Sequence, residues 1–207
     1  MKENGFEYVD LGLPSGTMWA TCNVGATNPE DEGLLFQFGQ VDGYKYGDEN
    51  NNFTTDYKIT TSGKTYKTNE ILDLFDDAAH VNMGGVWRMP NQTQYSEMFN
   101  NTTRTVIKDL KNKQKVIGML FTSKINNKRL FVPFSGYWYN GSFAAAGSYA
   151  CAWSSQVHPS DVYGACRLGC DSSGLASINY YGRSYAFSVR GVFNFNEHKN
   201  NNINMLI

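Results

Sequence analysis

The sequence predicts an α+β domain of short antiparallel strands, two helices and long loops. Three observations predict it. Aromatic residues make up 14% of the 207 residues and glycines number 20, a composition of strands and turns rather than long helices. Apolar residues alternate, or run for a few positions only, between Pro, Gly and Asn punctuation. A clear helix start occurs once, after Pro90, where Asn91 and Gln94 stand in capping-box register.

The elements follow in order. Tyr8 to Ala26, YVDLGLPSGTMWATCNVGA, gives a strand, a turn at Pro14-Ser15-Gly16 and a second strand around Met18–Cys22. Asn28–Gly33 is an acidic turn. The apolar LLFQFG leads into a Gly/Asp loop, and Asp48–Lys67 reads as a long surface loop. Ile71, Leu72, Leu74 and Phe75 stand near helical spacing, and that segment stops at Gly84-Gly85. The capped helix carries Tyr95, Met98 and Phe99. KVIGMLFTSKINNKRLFVPF reads as two strands about an Asn126-Asn127 turn. From Gly136 onward short strands and Gly/Ser loops fit best, and residues 194–207 read as a poorly ordered Asn-rich tail.

The length suits one domain, with 7–135 as scaffold and 136–193 as the C-terminal part. A net charge of -1 argues against nucleic acid as the main partner. The basic stretch from Arg104 to Arg129 reads as an exposed hairpin and its flank. No apolar run is long enough for a membrane span, and no secretory leader is visible.

Catalytic and metal-binding signatures are absent. The histidines, His80, His158 and His198, are widely separated, and no HExxH, GxSxG, P-loop or CxxC occurs. No cofactor and no metal site is expected. The alternative is Ca²⁺ at Asp42, Asp48 and Glu49 with Asn50–Asn52, oxygen ligands without EF-hand spacing. Asp76-Asp77 is expected to face solvent at a helix end. Of Cys22, Cys151, Cys166 and Cys170, three sit in one stretch, which favours free thiols over a Cys166–Cys170 or Cys151–Cys166 bridge.

Five stretches carry a resemblance: YVDLGLPSGTMWATCNVGA, GGVWRMPNQTQYSEMF, FVPFSGYW, YACAWSS and AFSVRGVF. In this order, across roughly Glu7 to Phe193, the chain resembles a C-type-lectin-fold module common in Bacteroidetes and their phages. The family motifs have a Trp-Gly-Glu where this chain has FQFGQ, YWSS where it has CAWSS, and commonly Gly at Ala186. The resemblance implies a C-type lectin fold.

Some members are variable proteins of diversity-generating retroelements. In those, adenine mutagenesis rewrites C-terminal codons into a set that excludes Lys, Glu, Gln, Met and Trp. Gly141 to Arg190 holds no Lys, Glu or Met, where roughly six or seven would stand at the chain's average. Its single Trp153 falls on the YWSS-like frame, and Gln156 would be an unmutagenised position. A tight β core would also lack Lys and Glu, but would be richer in Ile, Val and Leu.

By the family pattern the outward, changeable positions are Tyr149, Cys151, Ala152, Tyr163, Gly164, Cys166, Arg167, Gly169, Asp171, Ala176, Asn179, Tyr180, Tyr181 and Tyr185. Tyr180, Tyr181 and Tyr185 would be anchors and Arg167 a charged hot spot. Trp153, Leu168, Leu175, Phe187 and Val189 are assigned to the core, with Ser154, Ser155 and Arg190 fixing turns and polar contacts. Tyr, Ser, Asn and Gly form the alphabet of antibody paratopes. The implied function is display of a ligand-binding surface toward a protein or glycan receptor on a target cell, on a phage virion or bacterial surface, as a monomer or oligomer. Two alternatives stand beside it. One is a fixed adhesin module of the same fold. The other is an enzyme of the formylglycine-generating type using Cys166 and Cys170, although their spacing departs from that family's motif.

Overall fold

A computed structural model of the chain describes residues 1–108 and 116–195. Over these residues the protein is α+β, mostly strand with two short helices. Strands β1 (Lys2–Glu3), β2 (Phe6–Asp10) and β3 (Thr17–Asn23) open the chain, and β4 (Leu35–Gln37) follows the acidic turn. A 3₁₀ turn at Leu74–Asp76 leads into α1 (Ala78–Met83), and α2 spans Gln92–Asn100. Next come β5 (Thr102–Lys108), β6 (Val116–Ser123), β7 (Arg129–Pro133), β8 (Ser135–Tyr139) and β9 (Ser142–Ala146). The last third is β10 (Tyr149–Val157), β11 (Gly164–Asp171), β12 (Ala176–Gly182), β13 (Ala186–Ser188) and β14 (Arg190–Asn194).

Among the described residues three sheets result. One runs β1-β2-β3-β14, so that the end of the chain closes against its beginning. The second is the meander β5-β6-β7. The third and largest runs β12-β11-β10-β13-β8-β9, with β4 on β13. The β8–β9 hairpin turns at Asn140-Gly141, both with positive φ (47° and 83°), which suits a tight turn.

The helix expected after Pro90 forms as read. Asn91 accepts from Gln94 N–H, and the Gln94 side chain accepts from Asn91 N–H, both at 2.9 Å. α2 buries Tyr95 and Met98. Two core clusters lie on opposite sides of β10 and β11. Cys151, Trp153 and Ala165 join Phe36, Phe38, Trp87 and Phe187. Ala150, Ala152, Leu168 and Cys170 join Trp19, Tyr95, Met98 and Phe121 on the side of α2. This division follows the period of two along a strand.

Several expectations need correction. Asp76 and Asp77 are buried, not solvated. Asp76 accepts from Ser62 N–H, Ser62 Oγ and Tyr66 Oη, each at 2.6 Å, so its carboxylate ties the preceding loop down. Asp77 caps α1 through His80 N–H and also accepts from Met89 N–H. Desolvation raises its pKa, and those backbone donors oppose the rise. The loop 48–67 is not wholly superficial, since Thr60 and Tyr66 are buried. Leu175, assigned to the core, is 71% exposed at the β11–β12 turn. β14 runs through Asn194, and residues 196–207 of the expected tail lie outside the described residues, as does the 109–115 part of the basic hairpin.

Candidate ligand-binding face

The C-terminal sheet carries its frame inside. Trp153 donates from Nε1 to the Phe36 carbonyl at 2.9 Å and packs on Phe187, ring centroids 4.3 Å apart. Ser155 N–H donates to the Pro90 carbonyl at 2.8 Å. Arg190 spans the seam between sheets: it donates to Asn23 Oδ1 (3.0 Å) and to the carbonyls of Ala20 (3.1 Å), Thr21 (2.7 Å) and Phe131 (3.1 Å). This is the carbonyl set a guanidinium fork suits. Burial pulls its pKa down to about 10.

One side of the sheet gathers tyrosines. β10 presents Tyr149 and Cys151; β11 presents Asp171, Gly169 and Arg167; β12 presents Ser177, Asn179 and Tyr181, by the registers Tyr149↔Asp171, Cys151↔Gly169, Gly169↔Ser177 and Arg167↔Asn179. Tyr185 joins from the turn before β13. Its ring stacks on Tyr139 at 3.9 Å with an 8° interplanar angle and meets Tyr181 edge-on at 4.8 Å. Tyr137 touches Tyr149 and Tyr185. Burial first, then the Tyr181, Tyr139 and Tyr137 hydroxyls, push the Tyr185 phenol up. Tyr139 (43% exposed) and Tyr181 (41%) form the outer rim; Tyr137, Tyr149 and Tyr185 are half-buried.

Beneath these rings lies Arg167, only 2% exposed. It donates to Tyr149 Oη at 3.0 Å and to Cys151 Sγ at 3.3 Å. Its guanidinium faces the rings of Tyr181, Tyr149 and Phe187 at 4.5, 5.4 and 5.6 Å. Gly169 gives it room: a Cβ there would stand 1.9 Å from Arg167 Nη1.

The fourteen expected surface positions therefore divide. Tyr149, Tyr163, Asp171, Ala176, Asn179, Tyr180, Tyr181 and Tyr185 are exposed or half-buried. Cys151, Ala152, Gly164, Cys166, Arg167 and Gly169 are buried, and this corrects their assignment to the surface. The reason is position: β10 and β11 run inside the largest sheet with a core cluster on either side. That burial also supplies a packing cause for part of the Lys and Glu depletion in 141–190.

The anchor set is corrected as well. Tyr180 and Tyr181 are neighbours on a strand and point to opposite faces. Tyr180 turns toward α2, where its hydroxyl donates to Gln92 Oε1 at 2.8 Å and its ring meets His158. Ala176 also faces that side, packed beside Ile178. Tyr163, 58% exposed, stands in the β10–β11 loop with its ring on Tyr57 at 4.4 Å. Asp171 closes the β11–β12 turn, accepting from Ser173 and Leu175 N–H. Sequence reading missed Tyr137 and Tyr139. Their signal was the alternation in SGYWY, which sends both to one face and buries Trp138 on the other.

The four cysteines are free. Cys166 and Cys170 lie four residues apart on one strand, roughly 13 Å at the rise of a β-strand, against a Cα limit near 7 Å for a bridge. Cys151 stands opposite Gly169, not Cys166, on the other side of the sheet. Burial pushes the Cys166 thiol up to about 11 and those of Cys151 and Cys170 up to about 12. Among the described residues no three His, Cys, Asp or Glu side chains converge as a metal site. No described helix is long and apolar enough to cross a membrane. No protein-family model, curated protein or solved structure matches the chain.

Proposed function

We propose that the chain is a ligand-binding display protein of the C-type-lectin-fold type, whose C-terminal surface is diversified by retroelement-directed adenine mutagenesis. The ligand is a protein or glycan receptor on a target cell, met from a phage virion or bacterial surface. The observation that carries the reading is the convergence of Tyr137, Tyr139, Tyr149, Tyr181 and Tyr185 on one side of a sheet whose frame is buried. Such a face offers large amphipathic area with few torsions to freeze. The absence of Lys, Glu and Met from Gly141 to Arg190 agrees with it. Buried thiols with raised pKa values are poor nucleophiles, which weighs against the cysteine enzyme reading.

The burial of Cys151, Ala152, Cys166, Arg167 and Gly169 favours a second reading, a fixed adhesin module, because a buried side chain is not freely exchanged. The nucleotide sequence of the last third and its flanks separates the two. The first reading expects a reverse-transcriptase gene and a near-copy of the coding region, differing at adenines in codons for Tyr149, Tyr163, Asp171, Asn179, Tyr181 and Tyr185. Flanks with neither remove diversification and leave the fixed module.

A further inference from the structure

Arg167 carries a charge that no described residue neutralises. The ion pairs among the described residues are Lys2–Glu7 and Lys64–Asp73. Around Arg167 stand a phenol, a thiol and three ring faces. Asp171 is on the same side of β11, but its Oδ1 is taken by Ser173 N–H, Ser173 Oγ and Leu175 N–H in its own turn. The buried Nε of Arg167 has no acceptor. Directly across the ladder, the buried Oδ1 of Asn179 has no donor, while its Nδ2 reaches Ser177 Oγ. A buried cation without an anion is costly, and ring faces offset only part of that cost.

We propose that the tyrosine face docks a protein epitope bearing an Asp or Glu carboxylate, which Arg167 receives when the Tyr181 ring swings aside. The inference rests on the ligand-binding reading above and names the partner's chemistry. Charge complementarity selects an acid: a guanidinium with free N–H groups matches a carboxylate in charge and geometry. The orphan pair favours a peptide, which brings a carboxylate for Arg167 and a backbone N–H for Asn179 Oδ1. Tyr and Arg are also the residues in which protein interfaces concentrate binding energy. Tyr181 suits the part of a lid. It lies on β12, at the edge of the sheet, is 41% exposed, and its side chain makes ring contacts only. Side-chain rotation of this kind is common when partners meet.

The test pans a displayed library of random linear peptides on the immobilised full chain. Captured peptides are then synthesised and their affinities measured against wild type, Tyr181→Ala and Arg167→Gln. The expected peptides carry Asp or Glu, and Arg167→Gln weakens them by roughly 30-fold or more. Changing the peptide's own carboxylate to the amide weakens binding to the wild-type protein equally, a readout that stands even if Arg167→Gln fails to fold. Peptides that need Tyr181 but bind equally well as the amide overturn the acid inference and keep the ligand-binding face. A library yielding no peptide whose affinity changes in Tyr181→Ala overturns the acid inference and leaves the wider ligand-binding reading, which also admits a glycan, standing.

Discussion

Arg190 and Arg167 are both buried arginines on the C-terminal strands, and they are held in opposite ways. Arg190 ends in four oxygen acceptors from β3 and β7, three of them backbone carbonyls, so its charge is spread over dipoles that the strands hold fixed. Arg167 ends in a phenol, a thiol and ring faces, with Nε unpartnered. The first arrangement has its acceptors in place; the second leaves Nε unpartnered among the described residues. On the proposed reading the first is scaffold and the second a site. A buried polar group with every partner present rigidifies its surroundings, whereas one left partly unpaired asks for an explanation outside the fold.

Removing the Arg190 clamp should do the most damage. Arg190→Met removes the donors from Asn23 and three carbonyls, each buried acceptor worth ~1–3 kcal/mol when stranded. A loss of about 3 kcal/mol or more is expected in urea unfolding. Arg167→Gln should cost about 1 kcal/mol or less, because the charge removed has no anion among the described residues to lose. Equal losses for the two variants would erase the distinction.

The sequence made the scaffold half far more legible than the site half. Arg190 was readable as a group that fixes polar contacts because a guanidinium in an apolar frame has few other fates. The α2 start was readable because Asn91 and Gln94 act through local backbone geometry. The site was only half readable. The run Tyr180-Tyr181 looks like one patch in a string of letters, and only strand pairing shows that the two rings part company. Cys166, Arg167 and Gly169 look exchangeable, yet their strand is interior, a fact set by β10 and β12 on either side rather than by β11 itself. Leu175 misled in the other direction, since hydrophobicity alone does not tell a turn from a strand. Asp76 and Asp77 misled because their donors, Ser62, Tyr66 and Met89, are distant in sequence or lie beyond the helix.

A middle-sized effect sharpens the site half. In Gly169→Ala the new methyl meets Arg167 Nη1, the far end of a flexible side chain, rather than backbone. The guanidinium must shift, at about 1 kcal/mol for overpacking of this kind. In the Arg167→Gln background the obstruction is gone and the same substitution should cost close to nothing. A double-mutant cycle therefore expects a coupling of roughly 0.5–1 kcal/mol. Additive costs would mean that Gly169 serves the strand and not Arg167.

The smallest effect asks whether Arg167 has a hidden counterion in Asp171. Hydrogen bonds from the Ser173 hydroxyl and then from backbone N–H groups hold the Asp171 carboxyl below its usual 3.8; Arg167 is not among the causes. With a folded pKa below the unfolded one, the stabilisation is present above 3.8 and is lost as pH falls through the folded value. Asp171 is half-buried beside solvent, and screening keeps the effect small. Unfolding measured from pH 5 downward should show a slightly shallower acid slope in Asp171→Asn than in wild type. The slope should be unchanged in Arg167→Gln, because the carboxylate answers to its own turn. If Arg167→Gln flattens the acid arm as Asp171→Asn does, the guanidinium already has its anion within the chain, and the contrast with Arg190 reduces to one of distance.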